Sequence, residues 1–355
     1  MIRLRLEQRE KTSAWLSFAL PIAAIFATLV LCSGLIVIAG ASVIDAYAAM
    51  FLSAVDSKFN IVETIVKAAP LVLTGLAVAV AFRAKFWNIG AEGQFLFGAM
   101  AAVYVGTQES LPAWSLVPLM IICGMAAGGL WAAIPAFLKA RYKVDDVVTT
   151  LLLNFIVFYG MMALLDGPWK DPLSGFPDSP DIRMDAEFPI LLHATRLHLG
   201  ILLAAIAAVL VWWLMRFTTL GFAIRAVGQN PRASAYAGHN ITAVIMLTAL
   251  ISGGLAGLAG VGEAAGLHFQ VMAGISTNYG YTGIVIAMLA GLNPLGVVPA
   301  AIFFAIIITG AEAMSRSTGV PVFLADVMQG TALMTMLVAL LFTNYRIRVS
   351  VPSHG

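Results

Sequence analysis

Three polar side chains that can hydrogen-bond a small molecule stand together at the start of an apolar stretch. They are Asn88, Glu92 and Gln94, within the segment 86–94. Amide and carboxylate groups are expensive in lipid, so we expect them to face protein or a water-filled path. The dipole of a helix that begins at residue 89 favours a carboxylate in its first turn, where Glu92 falls. A second interpretation stays open, in which Asn88 only caps this helix and the neighbouring glycines only allow close packing.

A second polar helix start resembles the first. An Asn-x-Gly triplet stands at 88–90 and again at 278–280, in each case where an apolar run opens. Inverted five-helix repeats would place two such starts in opposite directions, with a substrate path between the halves. On this interpretation Asn278 and Tyr279 line the path with the first cluster. Asn154, in the middle of another apolar run, either lines the same path or holds two helices together by hydrogen bonding.

The sequence gives no support for a catalytic, metal or cofactor site. The five histidines show no metal-ligand spacing, and no phosphate-binding loop of the G-x-x-x-x-G-K-[ST] type occurs. The two cysteines, Cys32 and Cys123, lie inside apolar runs and imply no disulfide framework. We therefore expect that this chain binds no metal and no cofactor, and that it is not an enzyme.

The elements that must position these residues are membrane-spanning helices. The chain has 355 residues, of which 61% are hydrophobic and only 11% are charged, and its mean hydropathy is +0.93. A soluble domain carries about 25% charged residues. We predict an all-α, polytopic membrane protein of about ten helices of roughly 20 residues each, forming one transmembrane domain over 1–355. The apolar runs that carry this prediction are 18–40, 64–82, 89–107, 115–138, 147–165, 199–215, 242–262, 275–291, 297–314 and 322–343.

One part of this pattern is irregular. Residues 263–291 are rich in glycine and polar side chains, and irregular backbone at membrane depth is tolerated only where it is buried in protein or lines a cavity. We predict a re-entrant or broken segment there. Glu263, at the end of the preceding helix, is expected to be solvated.

The positive charges indicate the orientation of the helices. With ten helices and a cytoplasmic N-terminus, most Lys and Arg residues fall on the cytoplasmic side, as the positive-inside rule requires. Both termini, as the segments 1–17 and 344–355, are then cytoplasmic. The acidic, proline-rich loop 166–198 is outside, where it either meets a partner or is only a solvated connector.

A cytoplasmic loop at 218–241 has an ordered composition. Asn230 followed by Pro231 predicts the start of a short helix with proline at its first position, and Gly238 is a plausible end for a helix over 231–237. This helix could lie on lipid headgroups. Its apolar side is mostly alanine and tyrosine, which favours docking into a groove on another protein.

These stretches resemble the permease subunits of ATP-binding-cassette (ABC) importers, in the group for branched-chain amino acids and simple sugars, and most closely the nucleoside-type permeases. The likeness extends from about 60 to 345. The residues that carry it are the NIGAEGQ stretch at 88–94, RAVGQNPRASAYAGHN at 225–240, SGGLAGLAG at 252–260 and GIVIAMLAGLNP at 283–294.

The resemblance implies a division of labour between subunits. A separate cytoplasmic ATPase hydrolyses ATP and receives a coupling helix from the permease. A second, usually non-identical permease and an extracytoplasmic substrate-binding protein complete the importer in the bacterial inner membrane. The solute would be a nucleoside or nucleobase, or a simple sugar. The coupling positions implied here are Gly221, Arg225, Gly228, Asn230, Pro231, Ala235 and Gly238.

An ion-coupled secondary transporter for a small neutral solute is the alternative. Such proteins usually carry acidic or basic residues near the middle of their helices. None of the acidic residues here lies clearly at mid-membrane, which counts against this alternative.

Overall fold

A computed structural model describes residues 3–8, 14–172 and 174–350 of the chain. The described part is predominantly helical, as the composition predicts. In chain order they are α1 (Ala14–Ile38), α2 (Val43–Ser53), α3 (Lys58–Arg83), α4 (Ala91–Gly106), α5 (Ala113–Tyr142), α6 (Asp146–Asp166), α7 (Leu199–Phe217), α8 (Thr219–Gln229), α9 (Pro231–Tyr236), α10 (Ile241–Glu263), α11 (Tyr279–Leu289), α12 (Pro294–Thr318) and α13 (Leu324–Asn344).

The chain forms two compact units, one made of residues 1–53 and 310–355 and the other of residues 54–309. In the first unit α1 packs along α13, and the hydroxyl groups of Thr28 and Thr335 lie 2.9 Å apart. Two short strands, β1 (Arg3–Gln8) and β2 (Tyr345–Ser350), pair in antiparallel register there. The all-α prediction did not include this pair.

The second unit is built on close contacts between helix backbones. A Cβ atom added to Gly98 of α4 would lie 2.4 Å from the Cα atom of Gly257 in α10, and one added to Gly128 of α5 would lie 2.3 Å from the carbonyl oxygen of Gly253. Small residues let membrane helices approach in this way. Helix α3 is central to this unit, because 89% of its most apolar stretch is buried.

Fewer helices qualify as membrane spans, within the described residues, than the ten that the sequence predicts. Each of the ten apolar runs overlaps a helix, but within the described residues only six helices are long and apolar enough to span a membrane, or seven if α1 and α2, bent by 118°, count as one span. Helices α4 and α11 have only 16 and 11 residues. Ten crossings and inverted five-helix repeats are therefore not confirmed.

The helical path is interrupted in the region 263–291, as its composition predicts. Helix α10 passes into a π-helical turn at Ala264–His268, and irregular chain follows up to α11. The loop 166–198 orders this irregular chain through backbone hydrogen bonds. The Ser179 N–H donates to the Val271 carbonyl at 2.9 Å, and the Ile182 N–H donates to the Phe269 carbonyl at 2.8 Å.

Candidate functional site

Helices α4 and α11 begin against one another, and a carboxylate joins them. The Gly280 N–H in the first turn of α11 donates to Oε2 of Glu92 in the first turn of α4, at 2.7 Å. A Cβ atom on Gly280 would lie 2.2 Å from the Glu92 nitrogen, so only glycine fits there. Glu92 is 8% exposed, and Ser276 also hydrogen-bonds its side chain. The carboxylate therefore stands at two helix N-termini, where the helix dipoles favour negative charge.

A cavity of about 220 Å³ opens beside this junction. Carboxylate, amide, hydroxyl and phenol groups contribute its polar wall, and aromatic rings contribute most of its apolar wall. Its lining residues are Glu92, Leu96, Asn154, Phe155, Phe158, Tyr159, Ala273, Ser276, Asn278 and Tyr281. Three of the predicted path residues, Glu92, Asn154 and Asn278, are thus brought together at one cavity.

Asn154 ties the cavity wall to the start of α4. Its Oδ1 accepts from the Gly93 N–H at 2.9 Å, and its Nδ2 donates to the Ile89 carbonyl at 2.9 Å and to Oη of Tyr281 at 3.1 Å. Asn154 therefore holds helices together by hydrogen bonding, as one of its two interpretations predicts, and its role in lining a substrate path stays a prediction. The side chain joins α6 to α4 and α11, and it also lines the cavity.

Asn88 and Gln94 are placed differently from Glu92. The two amides bond each other twice, at 2.9 Å in each direction, and Nδ2 of Asn88 also donates to Oγ of Ser252 at 2.9 Å. The Ser252 hydroxyl donates in turn to the Ala77 carbonyl. Both amides are buried, Asn88 completely, and neither lines the cavity. The N-cap of α4 is Gly90, so Asn88 stabilises the preceding turn by accepting from the Gly90 N–H.

Tyr279 also lies away from the cavity lining. It is 4% exposed, and its ring centroid is 5.8 Å from that of Phe95. Tyr281 occupies the cavity instead, and sequence reasoning missed it. The available signal was proximity in sequence, because residue 281 lies in the first turn of α11, three positions after Asn278.

The loop 218–241 contains the predicted short helix, α9. Pro231 is its first residue, and Oδ1 of Asn230 accepts from the Ala233 N–H at 3.1 Å. Gly238 follows the helix with a φ of +90°, a conformation that favours glycine. The surface of α9 is open, and Tyr236 is 95% exposed.

The predicted coupling residues fall into two groups. Asn230, Pro231, Ala235 and Gly238 are exposed, whereas Gly221 and Gly228 are buried. A Cβ atom on Gly228 would lie 1.9 Å from the Arg83 carbonyl oxygen, and one on Gly221 would lie 2.1 Å from the Leu214 carbonyl oxygen. The two glycines therefore fix α8 against α3 and α7. Arg225 is half-buried beside Arg83.

The solvated end expected for Glu263 is wrong. Its side chain is 2% exposed, and its Oε2 lies 3.5 Å from Nε2 of His268. The loop 166–198 covers this end of α10, with the Phe188 N–H donating to the Ala265 carbonyl at 2.8 Å. The covering residues are distant in sequence, so the local pattern at 263 did not reveal the burial. Within the described ranges no group of three or more His, Cys, Asp or Glu side chains is arranged to hold a metal ion.

The comparisons with known proteins agree with the resemblance in the sequence. Residues 60–341 match the family described as "branched-chain amino acid transport system / permease component". The chain is 38% identical to a guanosine ABC transporter permease protein of Bacillus subtilis, over 92% of this chain and 94% of the relative. It is 34% identical to a glucose ABC transporter permease protein of Haloferax volcanii, over 100% of this chain and 96% of the relative. It is 33% identical to a nucleoside ABC transporter permease protein of Lactococcus lactis, over 78% of each chain.

The family match covers α3 to α13, and therefore both the junction of α4 with α11 and the loop that carries α9. The apolar helices and the full-length relatives agree that the protein is embedded in a membrane and works in transport. This chain belongs to the family of permease components of branched-chain amino acid transport systems.

Proposed function

We propose that this chain is the transmembrane permease subunit of an ABC-type importer and forms the path of a nucleoside, a nucleobase or a simple sugar. Alternating access, driven by a separate ATPase, moves the solute. Relatives that extend over nearly the whole chain are named for guanosine and for glucose, and these names support the solute class. Both relatives are named as ABC transporter permeases, so the comparison does not favour the ion-coupled transporter.

The observation that carries the proposal is the cavity at the joint between α4 and α11. Its carboxylate, amide and phenol groups can bind the polar edge of a small neutral solute, and Phe155, Phe158 and Tyr159 offer ring faces against which a flat or partly apolar solute packs. Both helices begin at this joint. A small change in the angle between them therefore alters the cavity without stretching a continuous helix.

The exposed helix α9 is proposed as the coupling element for the ATPase. Asn230, Pro231 and Gly238 shape its start and end, and Ala235 lies on its exposed surface. Gly221 and Gly228 fix α8, which carries Arg225, against α7 and α3. ATP is used by the partner subunit, and this chain binds no cofactor. A second, non-identical permease and an extracytoplasmic substrate-binding protein, docking on the loop 166–198, complete the assembly.

We place the protein in the bacterial cytoplasmic membrane with both termini in the cytoplasm. The pairing of β1 with β2 supports the placement of both termini on one side, because it joins the two ends of the described chain. The distribution of Lys and Arg favours the cytoplasm for that side.

Co-purification from the native membrane tests this function. A C-terminal tag and a mild detergent should recover a stoichiometric ATPase with a phosphate-binding loop, a second permease and a substrate-binding protein. Proteoliposomes of this complex should take up guanosine or glucose only with internal ATP. A chain that purifies alone and transports without ATP would overturn the proposal.

A further inference from the structure

Three arginines converge on one pocket of about 390 Å³ in the unit formed by residues 54–309. The ends of α3 and α7, helix α8 and the turn between α11 and α12 form its walls. We call it the arginine pocket. Its lining residues are Arg83, Trp212, Met215, Arg216, Arg225, Leu292, Asn293 and Pro294.

The positive charges of this pocket have no counter-charge within the described part of the chain. None of the three arginines has a carboxylate oxygen within 4.0 Å there. Arg83 is held in place, because its Nε donates to the Leu292 carbonyl at 3.3 Å and its Nη2 donates to the Gly291 carbonyl at 3.2 Å. Arg225 lies close enough for its charge to repel that of Arg83. An anion bound between the arginines would relieve this repulsion.

The surface beside the arginine pocket is apolar and suited to acyl chains. Along α7, Leu210 is 57% exposed, Trp213 is 53% exposed and Phe217 is 62% exposed. Trp212 lines the pocket itself. Tryptophan is enriched where a membrane protein meets the headgroup region, and pockets of basic residues between membrane helices bind anionic headgroups. The pocket thus combines three arginines that have no neighbouring carboxylate among the described residues with an exposed apolar face of α7.

We propose that the arginine pocket binds the phosphate of an anionic phospholipid headgroup. Arginine presents several N–H donors in a planar fork that matches phosphate oxygens. The acyl chains lie along the exposed apolar face of α7. The pocket shares no residue with the cavity beside Glu92, so the lipid is a structural ligand of the inner leaflet, distinct from the transported solute.

Lipid retention on the purified complex tests this proposal. The complex is reconstituted in nanodiscs that contain equal amounts of phosphatidylglycerol and phosphatidylcholine, transferred to detergent, and its bound lipid is measured by native mass spectrometry. We expect phosphatidylglycerol to be retained in preference. The triple variant Arg83→Gln, Arg216→Gln, Arg225→Gln should lose about tenfold or more of the retained phosphatidylglycerol.

Two further variants separate lipid binding from folding. Arg216→Gln changes an exposed side chain and should reduce retention with no loss of assembly, even if the triple variant misfolds. Arg141→Gln removes an exposed arginine outside the pocket and should leave retention unchanged. Equal retention by Arg216→Gln and the unaltered protein, or no preference over phosphatidylcholine, would overturn the proposal.

The source of the phosphate is tested on the same preparation. Added short-chain phosphatidylglycerol should raise the melting temperature of the delipidated complex, and this shift should shrink in Arg216→Gln. Inorganic phosphate at the same concentration should give no comparable shift. An equal shift with inorganic phosphate would assign the pocket to a soluble anion. Loss of the co-purifying ATPase from Arg216→Gln, with lipid retention unchanged, would assign it to a protein contact. Either result would overturn the proposal.

Discussion

The backbone N–H of Gly280 donates to the carboxylate of Glu92 at 2.7 Å, across 188 positions of sequence. This bond joins the N-termini of α4 and α11 at the wall of the cavity. Both helices are too short to span the membrane alone, so the joint determines the geometry of the proposed path.

Two substitutions of Glu92 separate its hydrogen bond from its charge. Glu92→Gln keeps an acceptor oxygen for Gly280, and it should lose only the helix-dipole contribution, about 0.3–1 kcal/mol. Glu92→Leu leaves a buried N–H without a partner, which costs about 1–3 kcal/mol. We expect near-normal assembly for the glutamine variant and a clear fall in melting temperature and uptake for the leucine variant. Equal damage by both variants would show that the charge, and not the hydrogen bond, holds the joint.

Gly280→Ala should force α4 and α11 apart, because the added Cβ atom would lie 2.2 Å from the Glu92 nitrogen. Overpacking of this kind costs about 1–3 kcal/mol. We expect a lower melting temperature and reduced uptake. Gly262→Ala in α10 is the matched control, since a Cβ atom there has nothing within 4 Å. Equal behaviour of the two alanine variants would contradict the close approach.

Asn88 and Asn278, which the sequence presents as equivalent, should respond differently to substitution. Asn88→Leu breaks the buried bonds to Gln94 and Ser252, so we expect poor expression and assembly. Asn278→Gly removes a side chain that lines the cavity. Glycine tolerates the φ of +63° found at this position, so the backbone should keep its path. This variant should assemble normally and transport less. Immunoblots of the membrane fraction and uptake per assembled complex would distinguish the two effects, and normal expression of Asn88→Leu would contradict its structural role.

Gly238→Pro should uncouple ATP hydrolysis from transport. Proline fixes φ near −65°, whereas Gly238 adopts +90° at the end of α9, so the exposed loop must change its path. We expect normal membrane levels, lower uptake and loss of solute-stimulated ATPase activity. Gly319→Pro is the matched control. Gly319 also has a positive φ, +71°, and a Cβ atom added there would have nothing within 4 Å, so we expect this variant to keep normal coupling. Normal coupling in Gly238→Pro would reject α9 as the coupling element.

Features that depend on neighbouring residues could be predicted from the sequence. Helix α9 is one, because Asn230, Pro231 and Gly238 supply its cap, its first residue and its end within nine positions. The break after α10 is another, because its glycine and polar content is local. The strand pair has a local signal too, since RLRLEQ and YRIRVS alternate in the period of a strand.

Features that depend on distant residues could not be predicted in this way. Asn88 and Glu92 are four positions apart in similar sequence surroundings. Asn88 bonds Ser252 and belongs to a buried network, whereas Glu92 bonds Gly280 and lines the cavity. Both partners are distant in sequence. Glu263 is buried by a loop whose path is set elsewhere in the chain. The contact between the starts of α4 and α11 likewise joins residues 188 positions apart, and their apolar runs did not reveal it.

We propose that solute passes through the cavity beside Glu92, and protection of a cysteine by bound solute is the sharpest test of this passage. Tyr281→Cys is made in a chain whose Cys32 and Cys123 are replaced by alanine, and the assembled importer is labelled with a small water-soluble thiol reagent. Guanosine or glucose, whichever the importer transports, should slow labelling at position 281. A cysteine at Ser174, in the loop 166–198 and away from the cavity, should label at an unchanged rate. Transport without any protection at position 281 would contradict the claim.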